Sequence, residues 1–298
     1  MTDPVRTLAD AVLYEGYILW PYTRSATKNR QRWTFGGVFP QAHSAAHPDD
    51  RSELRAEVIS SSPVVDVRVR FLQVVERQLT LDGRHVDELT VRHERYLSWD
   101  EAVEREVGPG PLAIAAGNDV EQLDEHAAIN RSWEALRGTV EVTVEPAGDL
   151  FRVAVMVRNE TSWAGSVRED ALRRTFCSTH AVLQSEGEFV SLTDPPARLL
   201  EDVRSCENIG CWPVLVGDAH TMLAAPIILS DFPEIAPESP GDLFDATEID
   251  RMLILNVMSM TPEEQAEMRA TDPRARQILE RCESLTRDDL LRLHGVMR

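Results

Sequence analysis

The chain has 298 residues, 43% of them hydrophobic, which is enough to bury a full core and excludes a disordered polypeptide. A net charge of −19 and a pI near 4.8 exclude the continuous basic face that non-specific nucleic-acid binding needs. No apolar run approaches the roughly 20 residues of a membrane-spanning helix, no signal peptide is apparent, and four cysteines in a chain this long do not make a disulfide framework, so a reducing, cytoplasmic setting is expected.

In chain order, the first distinctive segment is Tyr14 to Pro40. It holds seven of the 18 aromatic residues and the only lysine, and Arg24, Lys28, Arg30 and Arg32 outnumber Glu15 in an otherwise acidic chain. Tryptophan, tyrosine and arginine together are the content of an interface hot spot or an anion site. Tyr22, Arg24, Lys28, Arg30, Arg32 and Trp33 are therefore the candidate partner- or anion-binding residues. Two other options stand beside this one. Lys28, unlike an arginine, can lose its proton when desolvated and act as a reactive amine. Or the segment is a strand, basic loop and strand whose aromatics belong to the core.

His43 and His47 stand four apart ahead of Asp49 and Asp50, a metal-ligand spacing if helical. Pro48 disfavours a helix there, so a solvated loop is expected. Val65, Val67, Val69 and Phe71 alternate with charged residues, which is the period of a strand with one buried face. Less regular strand-like patterns cover 11–20, 33–39, 54–60, 86–97 and 179–192. Ser98 followed by Glu101 is a capping-box pattern and predicts a short helix to about Val107. Gly108-Pro-Gly110-Pro-Leu-Ala113 imitates a dinucleotide fingerprint, but it follows that predicted helix and carries two prolines where the turn must be tight. Residues 139–158 predict an antiparallel hairpin turning at Pro146 to Asp149.

Cys177 and His180, with Cys206 and Cys211, supply four soft ligands in two pairs, the inventory of a structural zinc site. Buried free cysteines and a core histidine are the alternative. Pro195-Pro196 opens a short helix over 197–204. Between Asp231 and Asp250 seven carboxylates meet no lysine or arginine, and Pro233, Pro237 and Pro240 make this the most linker-like stretch. Thr261-Pro262-Glu263-Glu264 predicts a capped helix over 262–270, Asp272-Pro273 another to about Ser284, and Thr286 a last one. No nucleophile elbow, Walker A loop or H-E-x-x-H occurs in the chain. Strands first and helices clustered last predict an α+β fold, a large antiparallel sheet followed by short helices. The expected organisation is a β-rich domain over 1–230, a Pro/acidic loop over 231–245, and a helical segment over 246–298 packed on the first domain.

Two segments, YEGYILWPYTRSATKNRQRWTFGGVFP and APIILSDFPEIAPESPGDLFDATEIDRMLILNVMSMTPEEQAEMRATDPRA, with STHAVL, FVSLTDPP and WPVLVG between them, resemble a family encoded in actinobacterial-type nickel-iron hydrogenase gene clusters. The resemblance implies a non-catalytic accessory protein that assembles or stabilises the hydrogenase by binding a structural or maturation subunit. It transfers no catalytic residue and no cofactor. The alternative expectation is a small-molecule protein, either an anion binder or an enzyme, with a pocket lined by residues 14–40.

Overall fold

A computed structural model describes residues 4–30, 32–33, 35–234 and 250–285. Helix α1 (Pro4–Tyr14) and the short α2 (Gln41–Ala46) precede β1 (Glu53–Ser60) and the 17-residue β2 (Val65–Leu81). Next come β3 (Arg84–Val86), the hairpin of β4 (Glu88–Val91) and β5 (Glu94–Leu97), and β6 (Trp99–Val107). Strands β7 (Gly110–Ile114), β8 (Gly117–Gln122), β9 (Ala127–Trp133), β10 (Leu136–Ala147) and β11 (Leu150–Asn159) follow. Then come α3 (Arg168–Leu172), β12 (Cys177–Ser185), α4 (Leu200–Arg204), β13 (Trp212–Val216) and β14 (Asp218–Ala225). Helices α5 (Asp250–Met258), α6 (Pro262–Thr271) and α7 (Pro273–Ser284) complete the described elements. Antiparallel strands followed by short helices make this an α+β fold.

Two antiparallel sheets pack face to face. The smaller runs β1-β11-β10-β7, and the larger runs β13-β14-β12-β2-β9-β8. Strand β2 is the axle of the larger sheet: β12 and β9 share one of its edges, and β6 and β3 share the other. Between the sheets lie Leu54, Ala56, Val58, Val153, Val155 and Val157 from one side and Val67, Val69, Phe71, Ala181 and Leu183 from the other. Their alternation with polar neighbours is what the period-two pattern encodes, and each large side chain buried here contributes about 1.5–3 kcal/mol.

A second core joins the two ends of the chain. Leu13, Tyr14, Tyr17, Ile18, Tyr22 and Trp33 from the N-terminal segment pack with Leu253, Ile254, Val257, Met268, Ile278 and Leu279 from α5, α6 and α7. Both groups rest on Leu72, Val74 and Trp99 of the larger sheet.

Several local expectations hold. β10 and β11 form the hairpin over 139–158, with Gly148 at φ +63 in the turn. Thr261 and Glu264 make both hydrogen bonds of the capping box at the start of α6. Others are corrected. Residues 99–107 are strand, not helix: β2 leaves an open edge over 69–77, and pairing there satisfies the β6 backbone while seating Trp99 in the second core. Ser98 Oγ donates to the Val86 carbonyl instead of capping a helix. The first part of the 11–20 pattern is the end of a helix, because Leu8, Ala9, Val12 and Leu13 form one buried helical face. His43 lies in a helix after all, since Pro48 constrains only His47, where α2 has already ended. Gly108-Pro109 links two strands, so no helix follows to receive a pyrophosphate. Thr286 and residues 235–249 of the acidic stretch lie outside the described residues.

Candidate functional site

The basic aromatic segment divides into a buried part and an exposed part. Arg32 is 5% exposed; its Nε donates to the Tyr17 carbonyl at 2.8 Å and its Nη1 to the Asp100 carbonyl at 2.6 Å. The guanidinium sits 3.9 Å from the Trp99 ring centre, 4.5 Å from Trp33 and 4.8 Å from Tyr17. Burial lowers its pKa, opposed by the charges of Tyr17, Asp272 and Asp100. Tyr22 and Trp33 are buried as well, and both are held at positive φ, 60° and 63°. Bulky side chains tolerate that conformation only where packing over-determines it. These three residues therefore form a structural joint and offer no surface to a macromolecular partner. Lys28 is exposed in a 3-10 turn over Thr27–Arg30.

Arg24 has a different role. The β4–β5 hairpin pairs with itself and not with β2, so the edge of β2 is left unpaired at Gln78, a notch between the end of β3 and the start of β6. Arg24 Nη1 closes the neck of that hairpin by donating to the Asp87 carbonyl at 2.9 Å and the Ser98 carbonyl at 3.2 Å. The notch is a cleft of about 490 Å³ with Glu76, Gln78 and Arg77 from β2, His85 from β3, and Trp99 and Asp100 from β6 in its walls. Arg77 is fully engaged: Nη1 pairs with Glu101 at 2.8 Å, Nε bonds the Leu97 carbonyl at 3.0 Å and Nη2 bonds the Thr271 carbonyl at 2.7 Å.

A smaller depression of about 180 Å³ opens beside Trp212, which is 46% exposed. Phe39, Leu54 and Pro226 supply apolar walls, and Asp49, Asp50 and Glu53 stand in the same lining with Arg51. Gly36 lines it at φ +57, where a Cβ would come within 2.6 Å of Pro226 Cβ, so only glycine fits. Behind Asp50 lies His43, 1% exposed, whose Nε2–H donates to Asp50 Oδ2 at 2.8 Å. His43 stacks on Phe39 and on His47, with ring centres 5.0 and 4.4 Å apart. Lone pairs lie in the ring planes, so two stacked imidazoles do not converge on one metal.

The four soft ligands are not brought together. Cys177 belongs to the core shared by the chain's two ends, whereas Cys211 belongs to the sandwich core. Among the described residues no three His, Cys, Asp or Glu side chains form a metal-sized group. Burial pushes the thiols of Cys177 and Cys211 up to about 12, so both stay protonated at neutral pH. Burial also pulls His180 down to about 4, leaving it neutral with Nδ1–H on the Ser178 carbonyl at 3.2 Å. No motif signals another buried carboxylate, Glu57 of β1, which ties the segment after α4 to that strand. Its Oε2 accepts from Glu207 N at 2.8 Å, and its Oε1 accepts from Arg55. Burial pushes the Glu57 carboxyl up, but those hydrogen bonds and the charges of Arg55 and Arg152 outweigh it, and its pKa is lowered. The stability this contributes is full above the ordinary glutamate pKa and is lost as pH falls through the depressed value. Glu57→Gln should therefore flatten the acid limb of a stability-against-pH curve measured by urea unfolding, and an unchanged limb would refute the assignment.

No protein-family model matches the chain, and no curated protein matches its sequence. Among the described residues no helix is long and apolar enough to cross a membrane.

Proposed function

We propose that the chain is a non-catalytic accessory protein that assembles or stabilises a nickel-iron hydrogenase by binding one of its structural or maturation subunits, with the Trp212 depression as the docking point. The hydrogenase assignment rests on the sequence resemblance. The docking point rests on Trp212, a large aromatic side chain left half in solvent at the lip of an apolar recess with carboxylates around it. Such a recess takes an apolar anchor from a partner, and the surrounding acids favour basic residues beside that anchor. The arginine and tryptophan of the joint are spent on internal contacts, which moves the expected contact from the basic part of the 14–40 segment to its 35–39 end, where it lines this face.

The test is gentle purification of the tagged protein from its native host while hydrogenase is expressed, with identification of co-purifying chains. Hydrogenase or maturation subunits are expected, and Trp212→Ala should weaken their capture by about 30-fold, the effect of losing a 2 kcal/mol hot spot. Its melting temperature should fall by only a few degrees, because about half of the side chain is already in solvent. Recovery of the protein alone, with hydrogenase present, would overturn the proposal.

A further inference from the structure

The Trp212 depression lies where a strand ladder is interrupted. Arg55 of β1 exchanges both backbone hydrogen bonds with Ile209, at 2.9 and 2.8 Å, in an antiparallel bridge. On the opposite side of β1 the Ser52 carbonyl accepts from Asn159 N at the end of β11. Peptide groups alternate along a strand, so Glu53 turns its N–H and C=O away from β11, to the same edge as Arg55. One more step of the bridge would pair Glu53 with Cys211. That pair does not form, and Gly210, at φ +74, turns the chain between the two positions. The Glu53 carbonyl lies 3.8 Å from where a Cβ on Gly210 would stand, and both residues line the depression. Gly37 lines it as well. Among the described residues nothing hydrogen-bonds the backbone N–H or C=O of Glu53 or of Gly37.

Unpaired peptide groups on a strand edge are a template for another extended chain. Gly37 and Gly210 carry no side chain to hold a guest backbone away, while Phe39, Leu54, Trp212 and Pro226 give the recess its apolar walls. Its volume of about 180 Å³ is below the range of small-molecule sites, so it admits one residue of a longer chain instead of a whole ligand. Arg51 stands in the lining against three carboxylates. Asp50 is taken up by His43 at 2.8 Å and Glu53 faces Arg158 at 3.7 Å, which leaves the exposed Asp49 for a cation from outside. The net charge of −19 adds a long-range bias toward basic partners.

We infer that the depression takes an extended segment of the docking partner by strand addition: one apolar residue enters the recess, its N–H and C=O pair with Glu53, and a basic residue next to it meets Asp49. The inference rests on the reading of this depression as the docking point and names the form of chain that docks there. Main-chain pairing supplies affinity, and the recess selects the apolar side chain.

Calorimetric titration of the full chain with the peptide Ac-Thr-Arg-Leu-Arg-Thr-NH2, and with the same peptide N-methylated at leucine, tests this. Saturable binding of the first is expected, at least about tenfold weaker for the second, because the methyl group removes the donor to the Glu53 carbonyl. Hydrogen exchange at the Glu53 amide should slow when the first peptide is bound. Absence of binding at millimolar concentration, equal binding of the N-methylated peptide, or unchanged exchange at Glu53 would overturn the inference. Equal binding of a stapled helical peptide carrying the same leucine and arginines would overturn it too, while leaving Trp212 as a docking point. Strand-peptide binding without co-purification of any hydrogenase chain would instead remove the hydrogenase reading and leave strand addition standing.

Discussion

Replacing Arg32 with alanine is expected to destabilise the protein by about 3–5 kcal/mol, lowering its melting temperature by roughly 10 °C. The side chain is 5% exposed and donates to two backbone carbonyls, so truncation removes the donor of both the Tyr17 and the Asp100 carbonyl. It also opens a cavity among Trp99, Trp33 and Tyr17, the three rings it lies against. Lysine should recover only part of the loss, because an ammonium cannot span both carbonyls or stack as a planar ion does. Equilibrium unfolding in urea measures this directly. A loss below about 1 kcal/mol for alanine would show that the joint does not depend on Arg32.

The second large effect is expected at Asp272. Its Oδ1 accepts from Arg274 N at 2.8 Å and caps α7, while its Oδ2 accepts the Tyr17 hydroxyl at 2.6 Å. Asp272 is 2% exposed. Asp272→Ala therefore removes a helix cap, about 1 kcal/mol, and leaves a buried phenol O–H without an acceptor, about 1–3 kcal/mol more. Tyr17→Phe should cost about 1 kcal/mol, since it takes only one bond from a carboxylate that keeps its capping role. The two losses should not add, because one hydrogen bond is counted in both. A double-mutant cycle by urea unfolding reads the coupling, and strictly additive losses would mean that the hydroxyl and carboxylate are not bonded in solution.

Tyr17 and Asp272 lie 255 residues apart, and the pair explains the division between what could and could not be read in advance. The caps of α6 and α7 were legible because a capping residue and its backbone partner are three or fewer residues apart. The 139–158 hairpin was legible for the same kind of reason: two alternating runs flank one short turn and need no third element to define their pairing. Trp99 to Val107 misled, because a capping-box pattern is a weak local preference and the open edge of β2 is a strong distant one. His43 misled because Pro48 marks where a helix stops, and only packing on Phe39 and Asp50 shows that one exists.

The candidate sites follow the same rule. By itself the sequence determined that the charge reverses between Tyr14 and Pro40 and that aromatics gather there. Charge and composition are sums over a segment and need no coordinates. The tertiary structure decided that Arg32 is enclosed by its neighbour Trp33, by Tyr17 and by the distant Trp99, while Arg24 closes a hairpin neck. It also decided that Glu76 and Asp100, unremarkable 24 residues apart, face each other across two strands. Whether a charged side chain serves stability or binding depends on which solvent and which partners surround it, and those are set by strand register and helix packing.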